Sequence, residues 1–90
     1  IDVLIYNAAG LTMSVPTALS PEQLSADLNV SVVSALAAAR VVAPSMIAAG
    51  RGSILVTGGG FALRPMAAMT SLGIGKAAVR NLAFSLAEEL

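Results

Sequence analysis

Two short apolar runs, each followed by a loop that contains glycine, give the chain its pattern. The first run is Val3 to Tyr6, before Asn7-Ala8-Ala9-Gly10, and the second is Ile54 to Thr57, before Gly58-Gly59-Gly60. Neither run alternates with polar residues, which is typical of strands in a parallel sheet that is covered on both faces. The pattern therefore predicts two buried parallel strands.

Helical patterns follow each of these runs. Ser20-Pro21-Glu22 places a capping hydroxyl, a first-turn proline and an acid in the order that begins a helix. This helix is predicted over Pro21 to Ala49, with Gly50 as its stop and Pro44 as the site of a kink or shift. Its inward stripe is predicted from spacings of three and four residues and comprises Leu24, Leu28, Val32, Leu36 and Ala39. A second helix is predicted over Ser71 to Leu90.

The order strand, helix, strand, helix predicts the core of an α/β fold, a doubly wound parallel sheet of the Rossmann-like type. No linker or repeat divides the chain, so residues 1–90 are expected to belong to one domain. The chain opens at Ile1 inside a strand-like run and stops at Leu90 without a helix cap. We interpret it as an interior β-α-β-α fragment of a longer protein.

Composition narrows the possible chemistry. The chain is 57% hydrophobic and 11% charged, and its formal net charge is zero, so no basic patch is predicted for nucleic acid. Arg40 lies within the most apolar window, Val30 to Ala49, which argues against a membrane span. Without histidine or cysteine, the chain has no disulfide, thiolate nucleophile, serine–histidine triad or common zinc site, and no metal site is predicted. With no signal sequence visible, a cytoplasmic location is expected.

The chain's only lysine, Lys76, lies on an otherwise apolar helical stretch. One turn earlier on the same face is Leu72, which cannot carry a proton. In open α/β sheets the ligand crevice lies beyond the carboxyl ends of the strands, which here are the two loops with glycine. Those glycines serve either tight turns or a ligand's approach to the backbone. Neither a dinucleotide fingerprint, which would need glycine at Leu63, nor a P-loop is complete.

Three segments together resemble the short-chain dehydrogenase/reductase family. They are Asp2-Val3-Leu4-Ile5-Tyr6-Asn7-Ala8-Ala9, then Val42 to Met46 with Arg51 to Val56, and finally Gly75-Lys76-Ala77-Ala78-Val79 through Leu90. The resemblance covers essentially the whole chain in the family's order. It implies that residues 1–90 are a fragment of a single nicotinamide dinucleotide-binding domain, without its N-terminal nucleotide-binding half and its C-terminal end. It implies an oxidoreductase, with NAD or NADP as cofactor, that transfers hydride between the nicotinamide and an alcohol or carbonyl substrate.

The resemblance also implies site residues. The family uses a tyrosine, a lysine four residues later, a serine and a supporting asparagine; here Lys76 matches the lysine, while Leu72 and Gly59 replace the tyrosine and the serine. The asparagine position falls on Ser31, or on Asn29 if the helix is bulged. The implied catalytic residues are Lys76 and Ser31, and the implied cofactor-binding residues are Asn7, Ala8, Ala9, Thr57 and Lys76.

The replaced residues leave one alternative function open. The missing tyrosine and serine also fit a catalytically silent subunit that binds a dinucleotide or serves a structural role, with Lys76 retained for structure.

In the family, the two long helices commonly pack against a second subunit. The excess apolarity of both helices here favours a homodimer or homotetramer that binds a small-molecule substrate.

Overall fold

The computed structural model describes residues 1–90. Its elements, in chain order, are β1 (Val3–Tyr6), α1 (Pro21–Leu28), a π-helical segment (Asn29–Val33), α2 (Ser34–Ala49), β2 (Ser53–Val56) and α3 (Thr70–Glu89). Short 3₁₀ turns cover Pro16–Ala18 and Gly60–Ala62. The predicted alternation of strand and helix is confirmed, with β2 and α3 each beginning one residue earlier than predicted.

The two strands form a parallel pair, in register from Val3 beside Ser53 to Tyr6 beside Val56. The pairing continues for one bond past the strand ends, where the Thr57 amide donates to the Tyr6 carbonyl over 3.0 Å. Both strands therefore reach their carboxyl ends at the same edge, and the loops that follow them are neighbours. This is the edge at which the sequence places the ligand crevice.

The sheet is covered on one face only, which corrects the prediction of two covered faces. Alternate residues of both strands are half-buried, whereas the residues between them, such as Ile5 at 66%, are exposed. The helix α2 packs on β1 and α3 packs on β2. Because this chain contributes helices to one side, the other face keeps its apolar side chains exposed.

Local side-chain and backbone chemistry sets both ends of the helical run from the start of α1 to the end of α2. The Ser20 hydroxyl accepts a hydrogen bond from the Gln23 amide, while the Gln23 side chain accepts one from the Ser20 amide. This reciprocal capping box satisfies two backbone donors that the first helical turn leaves free. At the other end Gly50 adopts the left-handed conformation, with φ of 69°, that lets glycine close a helix at little steric cost.

The predicted helix from Pro21 to Ala49 is continuous but contains the π segment, and its irregular turn falls there rather than at Pro44, through which α2 continues. A π turn accommodates one extra residue and so rotates every later position around the axis. Leu36, predicted to face inward, is 43% exposed. Ala39 is buried as predicted. The buried stripe consists of mostly small residues, namely Ser31, Ala35, Ala39, Val42 and Met46.

By length and composition alone, one helix could cross a membrane, the 29-residue run Pro21–Ala49. A core helix of a folded domain passes the same test. This one buries its small-residue stripe within the fold, and α3 contacts it through the π segment and α1. The absence of a membrane partner stays a prediction.

Candidate functional site

Lys76 reaches from α3 to the carboxyl end of β2. Its ammonium Nζ donates to the Thr57 carbonyl over 3.0 Å, and the residue is only 9% exposed. Burying a charged group is unfavourable unless hydrogen bonds replace its hydration. The Thr57 carbonyl replaces one such bond, and two of the three ammonium protons remain available for other acceptors at this edge.

A loop of three glycines borders the Lys76 side chain. A Cβ atom added to Gly59 would lie 3.6 Å from Lys76 Cγ, an ordinary van der Waals contact, and at Gly58 or Gly60 it would meet open space. None of the three has a positive φ. The fold therefore does not require glycine at these positions, and their small size leaves room beside the lysine.

Leu72 lies one turn before Lys76 on α3 and is half-buried, as expected from the helical spacing. The neighbouring residue Ser71 is fully buried, and its hydroxyl is bonded to the loop after β1. There it accepts a hydrogen bond from the Thr12 amide over 3.1 Å and donates to the Thr12 carbonyl over 3.4 Å. Ser71 is therefore a structural tie and not a substitute for the missing tyrosine.

Ser31 occupies the interior behind the β1 loop. Its hydroxyl accepts a hydrogen bond from the Gly10 amide over 2.9 Å, and the residue is 2% exposed. Gly75 of α3 packs directly against it, because an added Cβ would lie 2.7 Å from both Cβ and Oγ of Ser31. Of the two candidates for the supporting position, Ser31 is buried and Asn29 is exposed. No hydrogen bond joins Ser31 to Lys76.

The remaining predicted residues lie at the end of β1. Asn7, Ala8 and Ala9 are exposed, and the Asn7 side chain makes no hydrogen bond to the protein. Because β1 and β2 are in register, this loop and Thr57 share the edge that Lys76 reaches. The structure thus brings five of the six predicted residues to one edge, and places Ser31 beneath the β1 loop.

Tyr6 and Thr12 also shape the site, and neither was predicted to do so. The hydroxyl of Tyr6, the only tyrosine, donates to the Val30 carbonyl in the π segment. Thr12 Oγ1 donates to the Asp27 carboxylate over 2.7 Å, which joins the β1 loop to the end of α1. The polar hydroxyl of a tyrosine at the end of an apolar strand was the available signal for Tyr6. Its partner, the Val30 carbonyl, lies in the π segment, which the sequence pattern did not reveal.

Lys76 carries the only buried charge at this edge. The chain's one ion pair, between Arg51 and Asp2, is exposed and lies near the amino ends of the strands. No group of three histidine, cysteine, aspartate or glutamate side chains is assembled for a metal.

A cleft of about 500 Å³ lies elsewhere, between the C-terminal parts of α2 and α3 beside β2, lined by residues such as Met46, Ile54 and Leu86.

Solved structures share this fold across nearly the whole chain. A 3-oxoacyl (acyl-carrier-protein) reductase from Agrobacterium tumefaciens C58 with NADP bound aligns at a TM-score of 0.94 and 30% identity, covering 99% of this chain and 34% of that one. A metagenomic short-chain oxidoreductase in complex with NADP aligns at 0.90 and 31% identity, covering 99% and 41%. A gluconate 5-dehydrogenase from Burkholderia cenocepacia J2315, in complex with NADP and tartrate, aligns at 0.94 and 26% identity, covering 99% and 35%.

These likenesses confirm the predicted Rossmann-like α/β fold. The chain spans about a third to two-fifths of the length of these structures. No curated protein matches it at a significant level. The sequence profile of the family described as short chain dehydrogenase matches residues 1–90, the entire chain. The chain therefore belongs to the short chain dehydrogenase family.

Proposed function

We propose that residues 1–90 are part of a single dinucleotide-binding domain in an oxidoreductase that uses NAD or NADP. Its reaction transfers hydride between the nicotinamide and an alcohol or carbonyl substrate. The observation that carries the proposal is the buried Lys76 ammonium, held by the Thr57 carbonyl at the edge where two loops of small residues meet. Family membership supports it, as do the NADP molecules bound in three of the similar structures.

The residues present suit a nicotinamide dinucleotide. Lys76 has two protons left to donate, and ribose hydroxyls are suitable acceptors. The open space at Gly58 and Gly60 leaves room for a flat ring beside the end of β2. Asn7 is exposed with an unpaired amide, and Ala8 and Ala9 have side chains small enough to let a ligand approach the backbone. When bound, the cofactor supplies the hydride.

Each residue then has a role set by its position. The Thr57 carbonyl orients the Lys76 ammonium, which holds the ribose and so positions the nicotinamide. The loop from Asn7 to Ala9 would border the cofactor on the β1 side. Ser31 acts indirectly, because its hydroxyl holds the Gly10 amide and thereby the end of that loop. We assign Ser31 a positioning role within this site.

Calorimetric titration of the purified full-length protein with NADP and with NAD tests the binding step. Wild-type protein is expected to bind at least one of them, and Lys76→Met to bind it about tenfold more weakly, since a charge-assisted hydrogen bond contributes about 1.5–3 kcal/mol. Arg80→Met is the matched control, because Arg80 is an exposed cation one turn further along α3 and lies over the Phe84 ring. Equal weakening by both substitutions would contradict a specific role for Lys76.

A turnover assay distinguishes the oxidoreductase from the catalytically silent subunit. Leu72 and Gly59 favour the silent subunit, because neither residue supplies a hydroxyl. Oxidation of the reduced cofactor is followed across a panel of aldehydes and ketones. Turnover of any carbonyl supports the oxidoreductase. Binding without turnover across the panel supports the silent dinucleotide-binding subunit, and absence of binding contradicts both.

The outward surfaces of the helices support an assembly, and we propose a homodimer or homotetramer formed through them. These surfaces carry large exposed apolar side chains, namely Val33, Leu36, Val41, Ile47, Ile74 and Phe84. Apolar patches rimmed by polar residues are typical of interaction sites. Sedimentation of the full-length protein at micromolar concentration is expected to show a dimer or tetramer, and a monomer would contradict the proposed assembly.

The cytoplasmic location stays a prediction that cell fractionation can check.

A further inference from the structure

The reaction proposed above needs a proton donor as well as a hydride donor, because a reduced carbonyl oxygen must gain a proton. The side chains that commonly supply one are those of histidine, cysteine, aspartate, glutamate, lysine and tyrosine. This chain has no histidine or cysteine. Within these 90 residues the candidate donors are the five carboxylates, the one tyrosine and the one lysine.

The carboxylates and the tyrosine are placed elsewhere. Asp27 accepts from Thr12 at the end of α1, and Asp2 pairs with Arg51 near the amino ends of the strands. Glu22 is in the first turn of α1, and Glu88 and Glu89 end α3, three turns beyond Lys76. The Tyr6 hydroxyl donates to the Val30 carbonyl. None of these groups contacts the Lys76 ammonium.

The aliphatic hydroxyls do not change this inventory. Ser71 is fully buried against Thr12, Thr70 Oγ1 donates to the Ala67 carbonyl, and Ser31 holds the Gly10 amide. Thr57 is exposed and contacts Lys76 through its backbone carbonyl, and its aliphatic hydroxyl is a far weaker acid than an ammonium. Lys76 is thus the one side chain at this edge that combines acidic protons with free donor capacity.

The two residues beside Lys76, Gly59 and Leu72, carry no side-chain group that could accept its remaining protons. Gly59 lies against the aliphatic stem of the lysine without covering it, with room for a Cβ at 3.6 Å. Leu72, one turn earlier, is shorter than a tyrosine and ends in methyl groups. At this edge the ammonium is therefore the group with protons left to donate to a substrate carbonyl.

We propose that Lys76 is itself the proton donor of the reaction, and this inference rests on the proposed function. In the reduction, the carbonyl carbon gains the hydride supplied by the reduced cofactor, and the electron pair of the C=O π bond moves onto the oxygen. That oxygen forms its O–H bond with a proton from Lys76 Nζ. The lysine is left as a neutral amine, and one of its remaining N–H groups still donates to the Thr57 carbonyl. The amine then regains a proton from the solvent, so each reduction consumes one solvent proton.

Two variants of the full-length protein separate proton donation from charge and positioning. Lys76→Arg keeps a positive charge that does not dissociate in proteins, so it is expected to bind NADPH within about threefold of wild type while kcat falls about 100-fold or more. Lys76→Ala leaves a space that methylammonium can enter. Added methylammonium is expected to raise its kcat at least about tenfold at saturating NADPH, whereas guanidinium, which keeps its proton, is expected to have no effect.

Arg80→Ala is the control for a general loss of charge on α3, and neither cation is expected to alter its turnover. A Lys76→Arg variant with kcat within about threefold of wild type would overturn the inference while leaving the oxidoreductase intact. So would equal rescue by both cations, or rescue by neither. Wild-type protein that binds NADPH without turning over any carbonyl would instead refute the proposed function itself, before the variants are considered.

Discussion

Gly10 and Gly75 are locked into the fold, whereas Gly58 and Gly60 are not. A Cβ on Gly10 would overlap the backbone of Asp27, and one on Gly75 would lie 2.7 Å from Ser31 Oγ. At Gly58 and Gly60 the same atom would meet open space. The first pair lets α1, the π segment and α3 approach closely behind the site. The second pair leaves open space at the edge beside Lys76. The fold does not require glycine at these two positions.

The largest expected effect is that of Gly10→Ala. Its Cβ meets backbone atoms of Asp27, which cannot rotate away as a side chain can, so the free energy of unfolding of the full-length protein should fall by about 3 kcal/mol. Urea unfolding followed by circular dichroism measures this change. A loss below about 1 kcal/mol would show that the β1 loop and α1 are not packed as closely as described.

Gly75→Ala should cost less, about 2 kcal/mol, because the atoms that it meets belong to the short side chain of Ser31. A double-mutant cycle with Ser31→Gly, which removes those atoms, should reduce the cost of Gly75→Ala by about 1 kcal/mol. The same urea unfolding assay applies to all four proteins. Additive costs would mean that α3 does not pack on Ser31.

Tyr6→Phe tests the tie between β1 and the π segment. It removes the hydroxyl that donates to the Val30 carbonyl, so we expect a loss of about 1 kcal/mol in the free energy of unfolding. Hydrogen exchange measured by mass spectrometry should show faster exchange in peptides that cover Asn29–Val33 and unchanged exchange in peptides from the C-terminal half of α3. Uniform acceleration across both regions would contradict a local role.

Gly58→Ala should have the smallest effect on stability, within about 0.5 kcal/mol of wild type, because the added methyl group meets nothing in the fold. Its effect on ligand binding should be larger, and we expect NADP to bind about three- to tenfold more weakly by calorimetry. Gly10→Ala and Gly58→Ala therefore make a matched pair, one changing stability and the other affinity. An unchanged NADP affinity in Gly58→Ala would show that the glycine loop is not part of the cofactor site.

The strands, the Ser20 cap and the Gly50 stop could be predicted from sequence because each depends on residues close together in the chain. The π segment could not, since it is held by long-range contacts from Tyr6 and Gly75 that no local pattern encodes. For the same reason the inward stripe was predicted wrongly at Leu36, whereas Ala39 is buried as predicted. The location of Lys76 followed from helical spacing and strand order, whereas the burial of Ser31 depends on the π turn.

The crystal structure of the full-length protein bound to NADP tests the central claim most directly, that Lys76 forms the cofactor site at the carboxyl edge of the strands. We predict that Lys76 Nζ lies about 2.7–3.2 Å from a hydroxyl of the nicotinamide ribose while it still donates to the Thr57 carbonyl. The nicotinamide ring should lie beside Gly58 and Gly60. An NADP molecule bound with its nicotinamide ribose away from Lys76 would contradict the account.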